Sequence, residues 1–297
     1  MLLQRTRCWG KATAVGAFFA LGLGANAQVS TYSCTPTSGT YTVISGGTNI
    51  PSTSASTLDD NVAGAFPIGF TFTYAGNTYT QFGYNANGWI SLGATTPASS
   101  VQPLSAGSSN NVISAFGVDL IGRQHYVVNR TNGSTTLTVT AGNTANIVIG
   151  SPIAGTGIAA AATVTAVSPT TITLSVAATS TGTGSHARVY GTATGVRYET
   201  IGTAPNRTLV VQWTNFSRYS TSLSNGDNLN FQIRLNETTN TVGIVYNCAV
   251  PNSAGTTITA QVGLRGAANT DFNNRTTTAN WGSTTAGGTN AATCDYT

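Results

Sequence analysis

Asn228 to Tyr246 reads NLNFQIRLNETTNTVGIVY. Leu229, Phe231, Ile233 and Leu235 alternate with Asn230, Gln232, Arg234 and Asn236. Successive side chains of an extended chain point to opposite faces, so this segment has one apolar face and one polar face. Glu237 to Asn240 carries turn residues, and Val242, Ile244 and Tyr246 return in the same phase. The stretch is a β-hairpin with one buried side. The same period of two runs through Phe66, Ile68, Phe70, Phe72 and Tyr74, with Thr71 and Thr73 opposite. Ala75-Gly76-Asn77 turns that strand back into Tyr79 to Tyr84. Leu209, Val211 and Trp213 repeat the alternation, as do Ile258, Ala260, Val262 and Leu264. Beyond the N-terminus no segment carries the period of an amphipathic helix. Short strands separated by turn signals predict an all-β chain, an antiparallel β-sandwich of jelly-roll type.

Asn85 to Gly93, NANGWISLG, adds a hairpin-type turn at Asn87-Gly88 leading into a strand. Trp89 has two readings. It is a core residue, as large aromatics usually are, or it is a platform on which a sugar ring stacks, with Tyr84 and Asn87 beside it.

The texture changes between Tyr126 and Val189, where aromatics nearly vanish and Thr, Ala and Gly dominate. TTLTVT, NIVIG, ATVTAV and TTITLSV read as short strands, with Ser168-Pro169 as a turn. A structureless loop of that length is uncommon in a compact domain, so a small inserted β module is expected. The organisation read from the chain is residues 1–27, a leader; 28–125 and 190–297, two parts of a sandwich; and 126–189, the insert.

The leader has Arg5, Arg7 and Lys11, then an apolar run from Ala12 to Gly24, then Ala25-Asn26-Ala27. That is the pattern of a secretory signal peptide with cleavage before Gln28, and the run is short for a bilayer span. The sequence therefore predicts a secreted or outer-surface protein with no transmembrane segment. Without the leader nine Arg face eight Asp plus Glu, a net charge near +1 instead of +4. No basic stripe remains to follow a phosphate backbone, which argues against nucleic acid as a partner.

Three cysteines follow the leader: Cys34, Cys248 and Cys294. In an oxidising compartment two of them can pair, leaving one over. Sequence allows any of the three pairs; Cys248 with Cys294 is the expected one. Their spacing does not suit a zinc site.

Catalytic constellations are poorly supplied. His125 and His186 flank the insert, far from any G-x-S-x-G elbow, so a hydrolytic triad has no basis. Glycoside hydrolysis needs two facing carboxylates, and Glu237, in a hairpin turn, reads as a solvated loop residue. Asp59-Asp60-Asn61 is an acidic loop that could help hold calcium, which takes several oxygen ligands, or form a turn closed by its own side chains. Asp119, after an apolar strand, reads as a hydrogen-bond acceptor. Arg207 and Arg265 could bind a carboxylate-bearing ligand through their planar forks, or pair with loop carbonyls, Asp119 or Asp271. No resident cofactor is expected.

Taken in order, FPIGFTFTYAGNTY, NANGWISLG, GVDL, APNRTLVVQW, NFQIRLNETTNTVGIVY and VGLRG resemble a β-sandwich module of secreted proteins from Bacteroidetes-type bacteria. The resemblance spans most of Tyr41 to Trp281 and is interrupted by the insert, which itself resembles a short β module of other surface proteins. It implies an exported, often adhesin-like protein at the cell surface, with no catalytic residues to carry over. Such proteins often continue into further β domains and a type IX sorting tail, whereas this chain stops at Thr297. A short, separately secreted form or a truncated one is expected, with Sec-type export. The function expected is thus a non-enzymatic structural or adhesive module with a glycan or protein partner; the alternative is a lectin-like carbohydrate-binding module, and a glycoside hydrolase comes last.

Overall fold

The hairpin forms as its alternation requires. Leu229–Asn236 pairs antiparallel with Val242–Tyr246, placing Phe231 opposite Tyr246 and Ile233 opposite Ile244. The computed structural model describes residues 28–36, 39–50, 58–122, 124–142, 144, 147–189, 195–219, 227–248, 257–277 and 284–296. The leader, residues 1–27, lies outside the described residues.

Strands numbered in chain order form three antiparallel sheets. The first has the order β1 (Thr48–Ile50), β13 (Gly195–Ile201), β14 (Thr208–Arg218), β15 (Leu229–Asn236) and β16 (Val242–Tyr246), with β6 (Leu120–Ile121) pairing the end of β14. The second runs β19 (Thr285–Ala286), β18 (Phe272–Thr276), β17 (Ile258–Arg265), β5 (Val112–Gly117), β4 (Trp89–Leu92), β3 (Asn77–Asn85) and β2 (Val62–Tyr74), with β20 (Cys294–Tyr296) pairing the start of β17. The third runs β10 (Val164–Ser168), β11 (Thr171–Leu174), β8 (Thr136–Ala141), β7 (Gln124–Arg130), β12 (Gly182–Val189) and β9 (Ile153–Gly155).

The first two sheets pack through their apolar faces. Ile68, Phe72, Tyr74, Phe82 and Phe116 meet Leu209, Val211, Trp213, Phe231, Ile233 and Leu235 in one buried cluster. Each such side chain, fully buried, is worth about 1.5–3 kcal/mol of transfer free energy. Trp213 stacks on Phe231 of the neighbouring strand at 5.0 Å, and Phe231 stacks across the layer on Phe116 at 5.4 Å. The antiparallel sandwich predicted from the alternation is the fold. The third sheet has a separate cluster of branched aliphatics with Tyr126, including Val128, Leu137, Ile153, Val164, Ile172 and Leu174.

One expectation fails at the outer face of the first sheet. Gln232 was placed on the solvent side, yet Gln232 and its neighbour Gln212 are buried, 0% and 2% exposed. Residues 40–44 cross that face as a strap. Gln232 Nε2 donates to Thr42 O at 2.7 Å and to Gln212 Oε1 at 2.7 Å, and Ile44 N donates to Gln212 Oε1 at 3.0 Å. Buried amides need partners, and the backbone of the strap supplies them.

Candidate functional site

The turn between β3 and β4 sits deep in the fold. Asn85 Oδ1 accepts from Asn87 N at 2.8 Å, and Gly88 takes φ +83°. Trp89 is fully buried against Leu104 and Val112, and its Nε1 donates to Ser100 O at 2.9 Å. Tyr84 is fully buried too, and burial pushes its hydroxyl up to about 12. Neither ring presents a face to solvent, so the geometry is that of the core reading.

Asn87 has a different task. Its Nδ2 donates to Asp60 Oδ1 at 2.8 Å, and its Oδ1 accepts from Leu120 N at 2.8 Å. It thereby ties the 59–60 turn to the start of β6, where Asp119 lies. Asp59, Asp60 and Asp119 each bring a carboxylate oxygen within 4.8 Å of the others. Burial first, then the charges of Asp59 and Asp60, raise Asp119 above the usual carboxylate range. An all-oxygen set of this kind suits a hard cation such as calcium. Asp59 and Asp60 were legible as a pair; Asp119, sixty positions away, joins them only through the fold.

The two arginines are clamps. Arg207 holds Glu237 with both ends of its fork, Nε to Oε2 at 2.8 Å and NH2 to Oε1 at 2.5 Å. Its NH1 donates to Gly69 O at 2.7 Å, and its guanidinium lies over the Phe70 ring at 5.6 Å. Glu237, expected to be a free loop residue, is instead held below the usual carboxylate range by the Arg207 hydrogen bonds. Arg265 is 4% exposed. It donates to Pro103 O at 3.2 Å, to Gly107 O, and to Asn110 Oδ1 at 3.2 Å, which fastens the 100–110 loop over Trp89. Burial lowers its pKa.

The three cysteines stand as free thiols: Cys34 exposed, Cys248 half-buried and Cys294 buried. No disulfide, the expected Cys248–Cys294 bond included, joins the cysteines among the described residues. Cys248 Sγ is engaged with Asn230 O at 3.3 Å, on the β15 side. His186 lies in β12 opposite Val127, two pairs along from the Arg188–His125 pair, and burial lowers its pKa.

Two concavities among the described residues bear on function. The larger, a cleft of about 530 Å³, lies along β16, floored by Val242, Ile244, Tyr246 and Leu264 and flanked by Asn273 and Arg275. The segment from Tyr32 to Pro36 forms its other wall. β16 is the edge of its sheet. Asn247 N donates to Asn230 O and Asn236 N to Thr241 O, so the odd-numbered residues of this strand face β15. The peptide groups of Val242, Ile244 and Tyr246 consequently point outward, as at any sheet edge. The smaller concavity, about 400 Å³, is lined by hydroxyls and amides of Ser91, Thr95, Thr96, Ser108, Ser109, Asn110 and Asn111.

Among the described residues, no helix is long and apolar enough to cross a membrane. No curated protein and no solved structure matches the chain. The family model described as NIDO related matches residues 31–149 and 185–296, well over half of the chain, with its break inside the third sheet. A two-layer antiparallel sandwich with a family match that covers both of its parts and breaks only within the third sheet leads to one assignment: the chain belongs to the NIDO-related family, a family of extracellular-type β modules.

Proposed function

We propose that the protein is a secreted, non-enzymatic adhesive module that takes hold of a protein partner along β16. The observation that carries this reading is the cleft itself. It combines an apolar floor, Val242, Ile244, Tyr246 and Leu264, with a sheet edge whose peptide groups point outward. An extended apolar segment can be gripped there by main-chain hydrogen bonds while alternate side chains enter the cleft, the mode known as strand addition. A near-neutral surface with nine Arg against eight acids after the leader gives little long-range steering, which fits contact by shape and backbone pairing.

A second reading has its own observation. The smaller pocket offers neutral hydroxyls and amides from Thr95, Thr96, Ser108 and Asn110, the groups that hydrogen-bond sugars, so a lectin-like role would be seated there and not at Trp89.

The test is a glycan array run beside a surface-protein pull-down, with wild type, Ile244→Pro and Thr96→Arg, each with and without calcium. Proline at 244 removes one outward N–H while the β15 ladder, carried by residues 243 and 245, persists. A blank array with capture lost only in Ile244→Pro, whose melt stays cooperative, is the expected result. Binding to one sugar class that Thr96→Arg abolishes would replace the adhesive reading with the lectin-like one. Dependence on calcium would assign a cation to Asp59, Asp60 and Asp119. Turnover of a glycan by the protein would overturn both readings.

A further inference from the structure

We propose that Cys34 and Cys294 form a disulfide that locks the N-terminal segment Tyr32–Pro36 onto the C-terminal strand and fixes one wall of the β16 cleft. Both residues line that cleft, one from each end of the chain. The proposal concerns this chain's own thiols and holds whatever the cleft binds.

Each cysteine sits on an anchored element. Two residues before Cys34, the Tyr32 carbonyl accepts from Asn273 Nδ2, which also donates to Val29 O at 3.1 Å. Tyr32 is further fixed by its hydroxyl, which accepts from Ala75 N at 2.9 Å, and by its edge contact with the Tyr74 ring at 6.0 Å. Cys294 opens β20, pairs with Ala260 of β17 and bridges to Thr277 just beyond β18. The N-terminal segment around Tyr32 and β20 therefore both meet β18, which carries Asn273 and Arg275 between them. The thiol of Cys294 is pushed up to about 11, chiefly by burial, and senses both Arg275 and Cys34. Cys248 does not line the cleft; its thiol is turned to Asn230 O. The odd cysteine is thus Cys248, half-buried and engaged.

The chemistry needs an external oxidant of the disulfide class. The exposed Cys34 thiolate attacks one sulfur of that disulfide and displaces the other as a thiolate, leaving a mixed disulfide. The Cys294 thiolate, beside the Arg275 guanidinium, attacks the Cys34 sulfur and expels the second thiolate. Two protein thiols lose two electrons and two protons, and the oxidant gains them as two free thiols.

The experiment exposes the folded chain to oxidised glutathione, alkylates the remaining thiols, and maps peptides by mass spectrometry, so that Cys8 of the leader, where retained, is scored separately. The expected result is a mass lower by two hydrogens, a single crosslinked peptide pair containing Cys34 and Cys294, and Cys248 alkylated only after unfolding. Cys248→Ser should keep the crosslink, and Cys34→Ser, a change at an exposed position that leaves the fold intact, should abolish it. Amide exchange of residues 39–45 should slow by several-fold in the crosslinked wild type and stay unchanged in Cys34→Ser. A crosslink between Cys248 and either other cysteine, glutathione retained on Cys34, disulfide-linked dimers, or fully alkylatable Cys34 and Cys294 would each overturn the proposal.

Discussion

Replacing Trp89 by Ala separates a core tryptophan from a binding one. Trp89 is fully buried with Leu104 and Val112 around it, and its indole N–H is spent on Ser100 O at 2.9 Å. Truncation removes the largest side chain of this small cluster and leaves a void under the 100–110 loop, which Arg265 holds in place and prevents from collapsing inward. Large-to-small changes of this kind cost about 3–5 kcal/mol. A domain of this size loses about 2–4 °C of melting temperature per kcal/mol, so Trp89→Ala should melt roughly 6–20 °C below wild type. Trp89→Phe keeps most of the volume but orphans the Ser100 carbonyl, and should cost about 1–3 kcal/mol. The assay is a calorimetric melt of both variants beside the glycan array. A Trp89→Ala protein that melts within about 2 °C of wild type, a shift expected of less than about 1 kcal/mol, while losing a bound sugar would refute the core assignment.

Other outcomes follow from the same geometry. Glu237 is held below its ordinary range by Arg207, so it contributes stability above the ordinary carboxylate pKa that is lost as pH falls through the lowered value; Glu237→Gln should flatten the acid limb of urea midpoint against pH. Asp119 is raised, so its ionisation opposes folding as pH rises from the ordinary carboxylate range through its raised value. Asp119→Asn should therefore melt higher than wild type in metal-free buffer at neutral pH, and a lower melt would count against the burial and charge argument. Gly88 has φ +83°, and a Cβ there would lie 2.7 Å from Phe116 O. Gly88→Ala should cost about 1–2 kcal/mol from the backbone alone, with the clash added, read as a lowered urea midpoint.

What could be read from the sequence was whatever a local period encodes. The alternation in β2, β14, β15 and β17 by itself turns Ile68, Phe72, Trp213, Phe231 and Ile233 inward, and they share one core. The polar face of β15, with Gln232, reads as solvated from its alternation; in the fold Gln232 and its neighbour Gln212 are both buried. Residues 40–44 cover them, and that strap has no period to announce it; its contacts are backbone atoms, whose positions no side-chain pattern reports. The same holds for the candidate site. Asp59 and Asp60 are adjacent and were visible, whereas Asp119 reaches them through Asn87, a residue that looked like part of a hairpin turn. The sequence leaves Arg207 and Arg265 with a ligand or with structural partners; the fork of one closes on Glu237 and that of the other on loop acceptors, partners set by which turns the sheets bring together. Cysteine pairing is a matter of three-dimensional proximity, and a separation of 260 positions between Cys34 and Cys294 gives no hint of it.

The pairing of β7 with β12 has a further consequence. Val189 lies directly opposite Gln124, so the chain leaves for the third sheet and returns from it across a single rung of a ladder. To the sandwich, the whole excursion is equivalent to a tight loop between neighbouring points. Because the closure entropy of a loop grows only with the logarithm of its length, and this one is prepaid by its own apolar cluster, the segment can be lengthened, shortened or exchanged with little strain on the host. A sandwich built this way is a socket: evolution, or an engineer, can change what protrudes from it without renegotiating the core that holds it.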